Sequence, residues 1–352
     1  MTEEIHKRKS EHIEIVLKEK VTGTGMTTGF ESVRFIHNAL PELDFNEISL
    51  ETEFMGRPVK TPFLISSMTG GVTFAEKINK NLATAAQNQG WMLALGSTRA
   101  LIESTEHHES FRLRKYAPDV PIIANLGAVQ LNYGFGLDEC KRIMDITEAD
   151  CLVLHLNSIQ EVIQHEGNTN FKNLLVKIEE LCTRIDVPIG IKEVGWGIDG
   201  KTAKLLTEAG ISFIDVAGAG GTSWSQVEKY RSKDPVKRAA AEAFSDWGIP
   251  TAVCIQSVRE TLPDALLIAS GGMRTGVDAA KALAMGADFT GFARSILQEA
   301  TETPEAVIEV MKTRELELKM AMFAIGAGTI VELKNTERIR IGEDILRFAR
   351  GK

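Results

Sequence analysis

Two glycine-rich segments in the second half of the chain have the composition of a phosphate-binding site. They are residues 216–224 (VAGAGGTSW) and 268–274 (IASGGMR), and each begins at the end of a short apolar run. Glycine lets backbone N–H groups approach an anion closely, because no Cβ stands in the way. The same glycines could serve only to make tight turns. Because the two segments follow consecutive apolar runs, we expect them to form the two halves of a phosphate cradle.

A lysine within an apolar run is the second feature that suggests chemistry. Lys192 lies among isoleucine and valine residues, where a buried ammonium group is costly unless a negative group faces it. That group could be Glu193 or Asp215, or the N1–C2=O edge of a reduced, anionic flavin. We expect the flavin, because a lysine with a perturbed environment is typical of a functional site.

A polar cluster lies at residues 155–161 (HLNSIQE), at the end of another apolar run. Strand alternation places His155 and Asn157 on one face, with Gln160 and Glu161 in the loop that follows. Mg2+ often takes one or two carboxylates and completes its shell with waters and substrate phosphates, so Glu161 could hold it. Each residue alone would more often be a structural polar group. As a cluster they predict contact with a substrate or a metal.

A basic pair, Arg8 and Lys9, lies near the amino terminus and is followed by His12. Such a pair in an extension is usually a solvated face. It could instead close over the site and bind a diphosphate through charge-assisted hydrogen bonds.

An alternation of strand and helix patterns would position these residues. Eight apolar runs predict parallel strands at residues 62–68, 91–95, 121–125, 151–157, 188–194, 213–216, 266–269 and 288–293. Helical patterns lie between them, at residues 75–89, 137–149, 173–185 and 201–209. The series predicts an α/β fold, a closed (β/α)8 TIM barrel, which presents its functional residues at the carboxyl ends of the strands.

Three segments fall outside this alternation. Residues 1–50 show no alternation and are predicted to form an N-terminal extension that covers the active face. Residues 51–352 are predicted to form the barrel with its C-terminal helices. Residues 225–265 are longer than one helix needs, which predicts an insertion near the active face. Beyond Pro304, a long helix with apolar Leu316, Met320 and Phe323 is expected to cover the side of the barrel.

Composition excludes several classes of protein. The chain is 43% hydrophobic and 25% charged, as in ordinary globular proteins, and its net charge of −8 leaves no general basic field for nucleic acid. The four cysteines form no C-x-x-C pair, which predicts neither a disulfide framework nor a zinc site. We see no signal peptide and no run of 18 apolar residues, and so expect a cytoplasmic protein without a membrane partner.

The predicted strand ends carry hydroxyls, amides and one lysine. This set suits a flat flavin ring with a phosphate tail better than a nicotinamide. The hydroxyl, thioether and amide side chains at the first three strand ends are Ser67, Met68, Thr69, Ser97 and Asn125.

With these residues assembled, the chain resembles the type 2, FMN-dependent isopentenyl diphosphate isomerases over nearly its whole length. The resemblance rests on RK-x-x-H at 8–12, SMTGG at 67–71, GSTR at 96–99, ANLG at 124–127, HLN-x-x-QE at 155–161, KEVG at 192–195, GAGGTSW at 218–224 and SGGMR at 270–274. One departure is Thr98, where family members often carry glutamine. We expect it to alter local hydrogen bonding and not the class of reaction.

The resemblance implies a role for each candidate residue. FMN would be bound by Ser67, Met68, Thr69, Ser97, Asn125, Lys192, Thr222, Gly271, Gly272, Met273, Ala293 and Arg294. Substrate would be bound by Arg8, Lys9, His12, Asn157 and Gln160, and Mg2+ by Glu161, with catalytic roles for His155, Gln160 and Lys192.

The resemblance also implies the reaction and the setting. Isopentenyl diphosphate would become dimethylallyl diphosphate in isoprenoid biosynthesis, with reduced FMN as the acid–base group and no net oxidation. NADPH or NADH would reduce the flavin. A homo-oligomer, a tetramer or an octamer, is the implied assembly.

Three alternatives remain at this point. FMN-dependent 2-hydroxy acid oxidases need a histidine–arginine pair near the sixth strand, where this chain has AGAGGT at 217–222. Inosine monophosphate dehydrogenases need a nucleophilic cysteine in an active-face loop, and none of the four cysteines is so placed. A catalytically silent flavin- or phosphate-binding protein would be yellow and inert towards prenyl diphosphates.

Overall fold

The structure is a computed structural model that describes residues 2–68 and 73–351, with residues 2–9, 73, 74, 106 and 107 described by their backbone alone. The described strands are β1 Val33–Phe35, β2 Thr52–Phe54, β3 Arg57–Val59, β4 Phe63–Ile65, β5 Met92–Ala94, β6 Ile122–Gly127, β7 Cys151–His155, β8 Ile189–Lys192, β9 Phe213–Asp215, β10 Leu266–Ala269, β11 Phe289–Phe292 and β12 Ile339–Ile341. The described helices are α1 Thr2–Lys18, α2 Thr73–Gln89, α3 Arg99–Glu103, α4 Leu137–Thr147, α5 Ser158–Ile163, α6 Leu174–Arg184, α7 Gly200–Glu208, α8 Trp224–Arg231, α9 Pro235–Glu242, α10 Thr251–Thr261, α11 Gly276–Ala284, α12 Leu297–Glu302, α13 Pro304–Ile325, α14 Ile330–Lys334 and α15 Glu343–Ala349.

Strands β4 to β11 form a closed parallel barrel in chain order, with β11 pairing β4 to complete the circle. The prediction of a (β/α)8 barrel from eight apolar runs is confirmed. Because a parallel strand is covered on both faces, its sequence is almost continuously apolar, and β4 and β5 are buried along their whole length. The four predicted helices begin and end within two residues of α2, α4, α6 and α7.

A short hairpin, β2–β3, precedes the barrel and contributes to its core. Phe54 on β2 lies edge-to-face against Phe213 of β9 and Phe289 of β11, with ring centroids 5.9 and 5.4 Å apart. These two barrel phenylalanines lie at or near the amino-terminal ends of their strands. The hairpin therefore packs against one end of the barrel and leaves the carboxyl ends of the strands for the functional residues.

The long helix predicted beyond Pro304 is α13. It begins at an N-cap, Thr303, whose hydroxyl accepts from the amide of Ala306, and ends at Gly326, which has a left-handed backbone (φ 76°). Of the three apolar residues that the sequence suggested would face the barrel, Leu316 and Met320 are exposed. That part of the prediction is wrong, because the buried face is formed instead by Val307, Met311, Leu318, Met322 and Ile325.

The two ends of the chain meet in an antiparallel ribbon. Strand β1 pairs with β12, with Val33 opposite Ile341 and Phe35 opposite Ile339. The N-terminal segment then lies against the loop after β9, where the amide of Ser223 donates to the carbonyl of Val21 at 2.8 Å. Residues 225–265, predicted to hold an insertion, contain most of α8 and all of α9 and α10.

Candidate active site

A cavity of about 600 Å³ at the carboxyl ends of the barrel strands collects the predicted site residues. Sixteen of them line it: His12, Ser67, Met68, Ser97, Asn125, His155, Asn157, Gln160, Glu161, Lys192, Thr222, Gly271, Gly272, Met273, Ala293 and Arg294. Thr69 and the side chains of Arg8 and Lys9 lie outside the described residues. Residues distant in sequence are thus brought to one chamber by the barrel.

The two glycine-rich loops pack directly against each other. A Cβ added to Gly221 would lie 2.5 Å from the amide nitrogen of Gly272, which no real side chain tolerates. Gly271 and Gly272 also have left-handed backbones, with φ of 97° and 74°. Within the described chain, the amides of Gly271, Gly272 and Met273 donate to no protein acceptor. They are therefore available to an anion in the cavity.

Two arginines add positive charge beside this cradle. Arg274 and Arg294 both line the cavity. Burial lowers the pKa of Arg294, and the nearby charge of Arg274 lowers it further. Since two guanidinium groups repel each other, an anion bound between them would relieve that repulsion. Arg274 was not among the predicted site residues, although it ends the motif at 268–274.

Lys192 ends β8 and faces the cavity. Its Nζ donates to the main-chain carbonyl of Glu193 at 2.5 Å, and among the described residues it forms no ion pair. Asp215 is its register partner on β9, but that carboxylate accepts from the Ser270 hydroxyl at 2.6 Å. The ammonium group is thus not neutralised by a direct protein carboxylate contact.

Glu193 and Asp215 are buried beneath the cavity. Burial raises the pKa of Glu193 to about 7, although its Oε2 accepts from the amides of Trp196, Val194 and Gly195 and Lys192 is nearby. Burial likewise raises the pKa of Asp215, against the opposing charge of Lys192. Glu193 therefore fixes the loop after β8 rather than the lysine head group.

His155 is held in one orientation at the end of β7. Its Nδ1 lies 2.7 Å from Oδ1 of Asn125. Burial lowers its pKa to about 3, and the charge of Lys192 contributes. The imidazole is therefore neutral at ordinary pH.

Glu161 has a donor on each carboxylate oxygen. Oε1 accepts from Nδ2 of Asn157 at 2.8 Å, and Oε2 accepts from the amide of Asn168 at 2.5 Å. The described residues contain no group of three or more histidine, cysteine, aspartate or glutamate side chains placed to hold a metal ion. A cation at Glu161 would therefore need oxygens from water or from a ligand. Nearby Asn157 Oδ1 and Ser67 Oγ are buried without a partner in the described chain.

A charged network connects helix α1 to the cavity wall. Glu228 of α8 is buried and accepts from Nε2 of His12 at 2.9 Å and from Nε2 of Gln160 at 3.2 Å. Burial opposes its ionisation, but the hydrogen bond from His12 and the charges of His12 and Arg231 lower its pKa to about 2. His12 also lies edge-to-face against Trp224, 5.0 Å between centroids. Sequence reasoning missed Glu228.

Arg99, Gln130 and Asn168 are further residues that sequence reasoning did not select. Arg99 and Gln130 line the cavity, and both donate to Oδ1 of Asn168. Arg99 ends the GSTR motif, which was a usable signal. Thr98, the departing residue in that motif, is buried, and its hydroxyl donates to the carbonyl of Asn125 at 2.7 Å.

The cysteines are not placed for nucleophilic chemistry. Cys140, Cys151 and Cys254 are buried and Cys182 is half-buried, and burial raises the pKa of all four. In the part of the chain that is described, none of them lines the cavity. The loop after β9 contains neither histidine nor arginine at 217–222. Both features disfavour the two dehydrogenating alternatives.

Comparison with known proteins identifies the family. The family described as FMN-dependent dehydrogenase matches residues 1–116 and 140–340. An isopentenyl-diphosphate delta-isomerase of Oceanobacillus iheyensis is 61% identical, covering 97% of this chain and 98% of that protein. Proteins of the same name from Nostoc sp. and Rickettsia prowazekii are 48% and 45% identical, each covering 94% of this chain and 94% and 96% of theirs. The chain belongs to the FMN-dependent isopentenyl-diphosphate isomerase family.

Solved structures bear out the fold. A flavocytochrome b2 variant with sulfite bound matches with a TM-score of 0.71 at 17% identity, covering 94% of this chain and 82% of that one. A lactate oxidase from Pediococcus acidilactici matches with a TM-score of 0.67 at 17% identity, covering 97% and 94%. At such identities the likeness concerns the barrel alone. The family, the fold and the expectation of an FMN-dependent enzyme are confirmed. No helix among the described residues has the length and apolar content needed to span a bilayer.

Proposed function

We propose that this chain converts isopentenyl diphosphate to dimethylallyl diphosphate, as a step of isoprenoid biosynthesis. The observation that carries the proposal is one cavity with two sets of polar groups, one suited to binding an anion directly and the other suited to binding an anion through a divalent cation. One set is the glycine cradle with Arg274 and Arg294, and the other is His155, Asn157, Gln160 and Glu161. The first set would bind the phosphate of the flavin, and the second would bind the diphosphate of the substrate.

FMN fits the first set. The amides of Gly271, Gly272 and Met273, which donate to no acceptor among the described residues, would hold its phosphate, and Lys192, which pairs with no carboxylate there, would face the N1–C2=O edge of its ring. The remaining contacts proposed for FMN come from Ser67, Met68, Thr69, Ser97, Asn125, Thr222, Ala293 and Arg294. When bound and reduced, FMN would supply an acid–base group, which suits a site where the described side chains include no pair placed to protonate an unactivated alkene.

Mg2+ fits Glu161 as a single protein ligand. A carboxylate has about four lone-pair directions, and the two donors on Glu161 leave room for a cation. The cation would then be shared with the diphosphate of the substrate. Arg8, Lys9, His12, Asn157 and Gln160 would bind the substrate, and the N-terminal extension, residues 1–50, would cover the active face.

The protein's own side chains would orient the substrate and exclude water. His155, neutral, would take part in hydrogen bonding to the substrate without adding charge, and its ring is fixed by Asn125. Gln160, held by Asn157 and Glu228, would be placed beside the prenyl chain with His155 and Lys192 as the catalytic side chains. Ile13, Val16 and Trp224 provide apolar lining for the hydrocarbon part.

The test is anaerobic turnover of isopentenyl diphosphate in deuterated water with Mg2+ and limiting NADPH. An isomerase leaves the redox state of the substrate unchanged, so one reduction of the flavin should support many turnovers and solvent deuterium should enter the product. The same preparation with oxidised flavin is the control and should be nearly inactive.

Two outcomes would contradict the proposal. Consumption of NADPH mole for mole with product would indicate an oxidoreductase on this barrel. A yellow, reducible protein without any dimethylallyl product would indicate a silent flavoprotein. The proposal further includes NADPH or NADH as the reductant, a cytoplasmic location and a homo-oligomer of four or eight chains.

A further inference from the structure

The loop that follows α5 contains a residue, Asn168, that contacts residues following three neighbouring barrel strands. The amide of Asn168 donates to Oε2 of Glu161 at 2.5 Å. Its Oδ1 accepts from Nη1 of Arg99 at 3.0 Å and from Nε2 of Gln130 at 3.1 Å. Arg99, Gln130 and Glu161 follow β5, β6 and β7 respectively. One asparagine therefore connects the loops of three consecutive barrel units.

The backbone of this loop is closely packed, which fixes the position of Asn168. A Cβ added to Gly167 would lie 1.7 Å from the carbonyl oxygen of Glu161. On the far side of the loop, Nδ2 of Asn132 donates to the carbonyls of Asn170 and Lys172, at 2.7 and 3.1 Å. Because the chain is held on both sides, the Asn168 side chain has little freedom to move away from its partners.

Arg99 is held at two of its nitrogens and keeps the others for a ligand. Its Nε donates to Glu103 at 2.6 Å and its Nη1 to Asn168. A guanidinium group has five N–H donors in a rigid plane, so three of them have no acceptor among the described residues. Since Arg99 lines the cavity, these donors can meet an anion there.

We propose that Asn168 is a positioning residue that holds the Arg99 guanidinium and the Glu161 carboxylate at a fixed separation, so that together they take a diphosphate and its divalent cation. The backbone amide orients the carboxylate, and the side-chain oxygen orients the guanidinium. This inference rests on the proposed function, because it requires a diphosphate as ligand. Asn168 itself does not touch that ligand.

The test is a double-mutant cycle on the FMN-loaded, oxidised enzyme, with inorganic pyrophosphate and Mg2+ as the probe in titration calorimetry. Arg99→Ala should weaken binding by about tenfold or more, since charge-assisted hydrogen bonds are lost. Asn168→Ala should weaken it by a few fold, because Arg99 loses its orientation. The double variant should bind no more weakly than Arg99→Ala alone, since Asn168 acts through Arg99.

Asn170→Ala is the matched control. Asn170 is exposed in the same loop, and its side chain accepts only from the amide of Lys172. This variant should bind pyrophosphate as the wild type does. FMN content and the thermal unfolding midpoint of every variant show whether the barrel is intact. If Asn168→Ala does not fold, Asn168→Asp replaces it, since it keeps an acceptor oxygen. In the Asn168→Asp background, Arg99→Ala should then lower the affinity for pyrophosphate by at least as large a factor as in the wild type.

Two results would overturn the inference while leaving the proposed function in place. The first is additive losses from the two substitutions, and the second is an equal loss in Asn170→Ala and Asn168→Ala. A wild-type enzyme that binds no pyrophosphate in the presence of Mg2+ would contradict both the inference and the proposed function.

Discussion

Nδ1 of His155, the last residue of β7, lies 2.7 Å from Oδ1 of Asn125, which lies within the neighbouring strand β6. An amide oxygen only accepts, so Nδ1 carries the proton and Nε2 is left with its lone pair. The ring is neutral because burial, assisted by the charge of Lys192, lowers its pKa to about 3. His155 is therefore a fixed hydrogen-bonding group and not a second cation beside Lys192.

This pKa makes His155 a source of acid sensitivity. Its pKa in the folded protein is about 3, below the unfolded value of about 6.5, so between these values the unfolded chain binds more protons. The free energy of unfolding should fall as the pH falls below 6.5, by up to about 1.4 kcal/mol per pH unit from this residue. His155→Gln should show a weaker pH dependence in urea unfolding between pH 7 and 5 without diphosphate. His37→Gln, at an exposed position, should retain the wild-type slope.

Glu161→Gln should remove the Mg2+ dependence and most of the activity, while FMN still binds. The amide lacks the negative charge that makes a carboxylate a strong ligand of Mg2+, and its NH2 group would face one of the two donors now on Glu161. We expect a loss on the order of 100-fold or more in kcat/KM. Mg2+ titrations of activity check this, with Glu166→Gln, an exposed carboxylate of the loop after α5, as the control. An unchanged titration would remove Glu161 from the metal site.

Lys192→Ala should weaken FMN retention by about tenfold or more and should abolish the anionic form of the reduced flavin. The reason is that the described chain gives Lys192 no ion pair, so its charge is available to the flavin edge. Anaerobic absorbance spectra of the reduced protein at several pH values make the measurement. Lys201→Ala, on the outside of α7, should behave as the wild type. If Lys192→Ala gives the same reduced-flavin spectrum as the wild type, Lys192 does not face the N1–C2=O edge of the flavin.

Glu228→Gln should loosen the contact between α1 and the rest of the protein. Glutamine keeps the shape of the side chain but removes the negative charge of Glu228, which now contacts His12 and Arg231 in a buried position. We expect this loss to lower the free energy of unfolding by about 1–3 kcal/mol. Trypsin should then cleave faster near Lys18 and Lys20. Glu242→Gln, which breaks only a partly exposed pair with Lys229, is the control. Equal cleavage rates in the two variants would show that Glu228 does not hold α1.

The barrel and much of its site were predictable because each parallel strand is a local apolar run with a polar or glycine-rich end. For example, β10 is four apolar residues followed directly by Ser-Gly-Gly, and Lys192 ends β8. A closed barrel brings all such ends to one face, so placing the strands is enough to collect these side chains.

Asn168 and Glu228 could not be found in this way. They lie in an irregular loop and in an inserted helix, and their contacts with Arg99 and His12 span 69 and 216 positions of sequence. The apolar periodicity of strands and helices in the sequence does not indicate a contact between residues so far apart. Leu316 and Met320 illustrate the opposite difficulty, because apolar residues four apart on a helix need not face the core.

The ribbon between β1 and β12 imposes an order on events during synthesis of the protein. Residues 33–35 leave the ribosome roughly 300 residues before their partners at 339–341 are made. At ordinary elongation rates that interval lasts about 15 to 60 s. Throughout it the barrel strands can assemble, but the amino-terminal segment lacks its β12 partner. The pairing of β1 with β12 can therefore form only after residues 339–341 have been synthesised.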